Sequence, residues 1–81
     1  MNIFVGNLSY DATESQLERE FERYGDVNSV KIITDRETGR SRGFAFVEMD
    51  SRQEGRSAVQ GLNDADIAGR NVVVNEARPR R

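Results

Sequence analysis

Four short stretches of the chain are rich in strand-forming residues, and two longer ones repeat apolar positions every three to four residues. The most informative is Arg42-Gly43-Phe44-Ala45-Phe46-Val47-Glu48-Met49. As a β-strand it sends successive side chains to opposite faces. Gly43, Ala45, Val47 and Met49 form one set, suited to a packed core, and Arg42, Phe44, Phe46 and Glu48 form the other. A cation and an anion bracket the two rings, and both ions prefer water, so the rings share the wet face. Leaving them there forfeits roughly 1.5–3 kcal/mol of burial each. An exposed aromatic patch of this kind marks a binding surface.

The remaining elements fall into place around this strand. Residues 2–5 are a short apolar run stopped by Gly6-Asn7, and the first strand starts almost at the first residue. With Ile3 and Val5 inward, Phe4 joins the wet set. Thr13 and Gln16 form a capping box, Leu17, Phe21 and Tyr24 make one apolar stripe, and Gly25 is placed as the C-terminal cap of this helix. Glu14, Glu18 and Glu22 line its opposite, solvated face at a mutually repulsive spacing. Residues 27–34 read as a strand with Val30 and Ile32 inward and Ser29, Lys31 and Ile33 outward. The polar segment 35–41 is a hairpin loop. Ser51 and Glu54 suggest a second capping box and a helix to about Leu62, with Ala58, Val59 and Leu62 inward. Gly55 and Gly61 each weaken that helix by about 1 kcal/mol relative to Ala. Turns follow at 63–66 and 69–70, with a small strand around Ile67, and residues 72–76 form the last long strand. Pro79 cannot continue a ladder, so residues 1–77 read as one domain and 78–81 as a basic tail.

The order is β-α-β-β-α-β, an α+β, ferredoxin-like sandwich with a four-stranded antiparallel sheet and two helices on one face. The helices cover Ile3, Val5, Val30, Ile32, Ala45, Val47, Val72 and Val74. The opposite face stays open, and it holds Phe4, Phe44 and Phe46. Three adjacent exposed rings suit the stacking of single-stranded nucleic-acid bases, worth roughly 1–3 kcal/mol per base.

Composition narrows the alternatives. At 81 residues there is room for one small core. The 36% hydrophobic and 32% charged residues are a globular balance. No apolar run approaches the roughly 18 residues of a membrane helix. Cys and His are both absent, which removes disulfides, thiolate chemistry and the commonest zinc ligand and general base. No cofactor or metal is expected, and the expected setting is the cytoplasm, or the nucleus in a eukaryote. The net charge of −2 disguises a segregation. Residues 11–26 carry six acids (Asp11, Glu14, Glu18, Glu20, Glu22, Asp26) against Arg19 and Arg23, whereas the chain after residue 26 carries ten bases against eight acids. The first helix therefore repels a polyanion that the rest of the chain attracts.

Ile3-Phe4-Val5-Gly6-Asn7-Leu8 resembles the second ribonucleoprotein motif of the RNA recognition motif family. Arg42 to Met49 resembles the first, K/R-G-F/Y-G/A-F-V-x-F/Y, at all positions but the last. The likeness covers residues 2–77 and is nearest to the short single-domain RNA-binding proteins of bacteria, notably cyanobacteria, and to the domain of plant glycine-rich RNA-binding proteins. It implies that Phe4 and Phe44 stack bases, that Phe46 packs against sugars between two nucleotides, and that Arg42 binds a phosphate. The backbone after the last strand, at Ala77 and Arg78, is implied to contact a base. Lys31, Asn75 and Glu76 are candidates for reading base edges, and Arg36 and Arg40 for loop contacts to phosphate. Asn7 is implied to shape the turn after the first strand. Met49 stands where an aromatic is usual, at an inward position that Met fills well.

The expected activity is non-catalytic binding of a short single-stranded RNA, with single-stranded DNA a second ligand since stacking ignores the sugar. The expected partner state is a monomer, and post-transcriptional regulation or RNA chaperoning is the implied role. Two rivals remain. A protein-docking variant of the fold would have lost its sheet aromatics, which this chain keeps. Acylphosphatases share the strand–helix order, but their glycine-bracketed phosphate loop with an Arg beyond it is not visible in residues 6–13.

Overall fold

The computed structural model describes residues 1–39 and 41–77, and of Ser41 and Arg42 the backbone alone. Its elements are β1 (Asn2–Gly6), α1 (Glu14–Glu22), β2 (Val27–Thr34), β3 (Ser41–Met49), α2 (Arg52–Leu62), a hairpin of β4 (Asp66–Ile67) and β5 (Arg70–Asn71), and β6 (Val73–Ala77). The four long strands form one antiparallel sheet in the order β2-β3-β1-β6.

The register explains the core. Directly opposed residues in an antiparallel pair point to the same face. Ile3 opposes Val47, and Val5 opposes both Ala45 and Val74, and all five are buried. Leu17 and Phe21 of α1 and Ala58 and Leu62 of α2 close over them, while Leu8, Ala12, Met49, Ile67 and Val72 seal the margins. Val30 and Ile32 sit on an outer strand and pack against the same core half-buried. The thin dimension of the molecule is 18 Å, as one sheet and one helix layer require. Phe21 is the largest fully buried side chain, and its truncation to Ala is expected to cost about 3–5 kcal/mol.

The sequence signals at the helix ends hold in part. Thr13 and Gln16 form the expected reciprocal box, with Thr13 Oγ1 accepting the Gln16 N–H at 3.2 Å and Gln16 Oε1 accepting the Thr13 N–H at 3.0 Å. Gly25 is not a left-handed cap. The helix ends at Arg23 with ordinary helical backbone, and Gly25 is small because the Glu54 carboxylate of α2 lies where its Cβ would stand. At α2 only half of the expected box forms. Ser51 Oγ accepts the Glu54 N–H at 3.2 Å, while the Glu54 side chain covers Gly25. A two-stranded hairpin replaces the single small strand expected at Ile67. Its turn residues Ala68 and Gly69 both have positive φ, 55° and 89°.

Each outer strand has one backbone donor capped by a side chain. Glu14 Oε2 accepts the Ile32 N–H of β2 at 3.2 Å, so this acid does more than solvate the helix face. Asn63 Oδ1 accepts the Val74 N–H of β6 at 3.0 Å. A capped donor is one fewer group that an added strand could pair with.

Candidate nucleic-acid interface

The sheet face away from the helices carries a row of directly opposed residues, Lys31–Phe46–Phe4–Asn75, running across all four strands. Phe44 joins the row from β3. The three rings form a closed triangle, with centroids 5.8 Å apart for Phe4–Phe46, 6.0 Å for Phe4–Phe44 and 6.2 Å for Phe44–Phe46. Phe4 and Phe44 are tilted by 30°, whereas Phe46 meets both nearly edge-on. Such edge-to-face pairs hold one another in place, so the platform is preorganised. Phe46 is the most open of the three at 39% exposure, and Phe4 and Phe44 are half-buried.

A feature invisible in the alternation sets the attitude of Phe4. Gly6 lies two residues on, on the same face, and the Phe4 ring folds over it. The ring thus lies along the strand over the space that a side chain at residue 6 would fill. Beyond it Val73, opposite Gly6, adds apolar surface at 40% exposure.

Towards the other end of the face the surface turns polar. Asn2 opposes Glu48 on one side and Ala77 on the other, and Ser29 donates a long 3.5 Å hydrogen bond to Glu48. Asp50, just past β3, accepts from Asn28 at 2.6 Å. The face therefore has an apolar centre, a cation at Lys31 and an acidic end at Glu48. A single strand laid on it would put bases in the centre and its phosphates away from that acid.

The expected site residues divide as follows. Phe4, Phe44, Phe46, Lys31, Asn75 and Ala77 share the open face. Glu76 does not. It opposes buried Ile3 and so points to the helix side, and it lines a cleft at the sheet end with Met1, Asn2, Glu48, Arg52 and Ala77. Parity alone separates it from Asn75, its neighbour. Arg36 is exposed on the β2–β3 loop, whose turn is organised by Asp35. Its Oδ1 accepts the Glu37 and Thr38 N–H groups at 2.8 and 3.3 Å. Arg40, Arg78 and the Arg42 side chain lie outside the described residues, as do the tail arginines Arg80 and Arg81.

Strict alternation also stops short of Arg42. The β2–β3 register slides from Ile32 opposite Ala45 to Thr34 opposite Ser41, a bulge centred on Gly43 with φ of 86°. Only glycine adopts that backbone at little cost, and the Gly43 carbonyl uses it to accept the Leu8 N–H at 2.9 Å. Asn7 fills its expected structural role. It takes the left-handed conformation at φ of 52°, donates to the Asn71 carbonyl at 2.8 Å and accepts from Arg70 at 2.7 Å. Gly6 and Val73 are the parts of the face that pattern reading missed. A glycine two residues after a wet-face aromatic was the available signal for the first.

The chain has recognisable relatives. The family model for the RNA recognition motif matches residues 3–73. RbpF of Nostoc sp. is 51% identical over 80 residues, covering 99% of this chain and 76% of the relative. A crystal structure of RNA-binding protein PG1 superposes with a TM-score of 0.93 at 49% identity, covering 100% of this chain and 98% of the other. The RNA recognition motif of Rna15, solved with bound RNA (GU), superposes with a TM-score of 0.84 at 31% identity over 96% of this chain and 83% of that one.

Proposed function

The chain belongs to the RNA recognition motif family, and on that premise we propose that its open sheet face binds a short single-stranded RNA by stacking, without catalysis. The observation that carries this is the ring triangle of Phe4, Phe44 and Phe46, no two centroids more than 6.2 Å apart, on a face the helices leave uncovered. The bound RNA in the Rna15 structure supports the same use of the fold. Geometry favours a different division of labour among the rings from the one the motif resemblance implied. Phe46 is the most exposed ring and directly opposes Phe4 at the centre of the sheet, so these two carry the bases. Phe44 lies off the directly opposed row of Lys31, Phe46, Phe4 and Asn75 and packs against sugars. Lys31 and Asn75 flank the two base-bearing rings, within reach of base edges or of the adjoining phosphate.

Titration of the protein with short labelled RNA, DNA and peptide pools tests this reading. Phe4→Ala and Phe46→Ala should each weaken RNA binding by roughly 5- to 150-fold, one stacked base in each case, while thermal stability holds. RNA binding that survives both changes, or preferential capture of peptides, overturns it.

A further inference from the structure

Tyr10 is the most exposed large apolar residue among those described, at 68%, and neither the core nor the three-ring platform uses it. Its loop is not loose. Leu8, Ser9 and Ala12 around it are buried. The Leu8 N–H donates to the Gly43 carbonyl at 2.9 Å, the Ala12 N–H to the Ser9 carbonyl at 3.1 Å, and the Asp11 N–H to Ser9 Oγ at 3.2 Å. A tightly pinned turn therefore holds a large ring out in water. That ring lies against the bulge of β3, with Tyr10 Cε1 3.8 Å from where a Cβ on Gly43 would stand. Gly43 immediately precedes Phe44. Tyr10 thus continues the line of rings past the Phe44 end of the sheet, away from acidic Glu48. A ring with two side-chain torsions, already fixed by its turn, loses little entropy when a base settles on it.

We infer that Tyr10 is a fourth stacking position, taking one further nucleobase of a single strand that crosses the platform. This rests on the platform reading above. It predicts that the binding site is longer than the sheet face, and that the extra nucleotide is held at the loop between β1 and α1.

The test is a length series, with labelled random-sequence RNA pools of di-, tri-, tetra- and pentanucleotides titrated against the full chain. Tyr10→Ala should leave dinucleotide affinity unchanged and weaken the tetra- and pentanucleotides about fivefold or more, the loss of one stacked base. Tyr10→Phe should bind as the unmodified protein does. Tyr10→Trp introduces the sole tryptophan of the chain, and its emission should be quenched by the longer pools and not by the dinucleotides. Equal weakening at every length, no weakening at any, or a Tyr10→Phe loss matching that of Tyr10→Ala overturns the inference and leaves the platform standing. Failure of the unmodified protein to bind any pool overturns both. All variants alter an exposed ring, so unchanged melting curves are expected throughout.

Discussion

The Phe4 ring lies over Gly6, with Cε2 and Cζ only 2.7 and 3.0 Å from where a Cβ on that glycine would be. Two residues on one face of one strand thereby set the position of a ring of the platform. A side chain at Gly6 would lift the ring off the sheet.

Gly6→Ala is therefore expected to weaken RNA binding roughly 3- to 30-fold, part of the value of one stacked base, with the fold retained. Anisotropy titration beside a thermal melt separates the two effects. Unchanged affinity would mean the ring tilts without losing its stacking face.

Lys31 opposes Phe46, and the described part of the face offers few other cations. With one to three phosphate contacts, the logarithm of affinity should fall against that of salt with a slope of about −0.7 to −2, near 0.7 per phosphate. Lys31→Ala should reduce the slope by about 0.7. A slope well beyond that range in the unmodified protein would show that the loop or tail arginines carry the electrostatics instead.

Gly61 sits where α2 meets Tyr24. An added Cβ would lie 2.6 Å from Cζ and 2.8 Å from Cε1 of that half-buried ring, and closer still to its hydroxyl. Helix propensity alone makes Gly61→Ala stabilising by about 1 kcal/mol, but overpacking costs about 1–3 kcal/mol. We expect net destabilisation of about 1 kcal/mol, seen as a fall in melting temperature of roughly 4–8 °C. In a Tyr24→Ala background the same change should stabilise. Equal effects in both backgrounds would refute the contact.

Ala68 holds a φ of 55° and precedes Gly69 at 89° in the two-residue turn between β4 and β5. Positive φ at both positions is the pattern that favours Asn-Gly, and a left-handed alanine costs about 1–2 kcal/mol. Ala68→Asn should raise stability by about 0.5–1 kcal/mol in chemical denaturation without altering RNA affinity. A neutral or destabilising result would show that the turn tolerates alanine through contacts of its own.

Much of the interface was legible because it depends on parity. Phe4, Phe44 and Phe46 share a face because their strands keep the pleat over those residues, and Ile3, Val5, Ala45 and Val47 are buried for the same reason. Glu76 was misplaced by proximity in sequence. It adjoins Asn75, and in a strand adjacent residues are the pair certain to face apart. Gly25 was misread because a glycine after a helical stripe signals a cap, whereas this one makes room for Glu54, a residue of the other helix and distant in sequence. For Gly61 local propensity spoke only of a cost to the helix. Its compensation, room for Tyr24, lies on another element.

The sequence by itself determined the order of the long elements, the inward and outward sets of residues where the strands are regular, and the identity of the three rings, since these follow from side-chain alternation and helical spacing within short segments. The tertiary structure decided which strands became neighbours, and with that the 5.8–6.2 Å triangle of rings. It also decided the lie of Phe4 on Gly6, the bulge at Gly43 and the exposure of Tyr10 beside it. Those depend on how far one segment slides along another, and the burial summed over the whole core sets that register, beyond the reach of any local pattern.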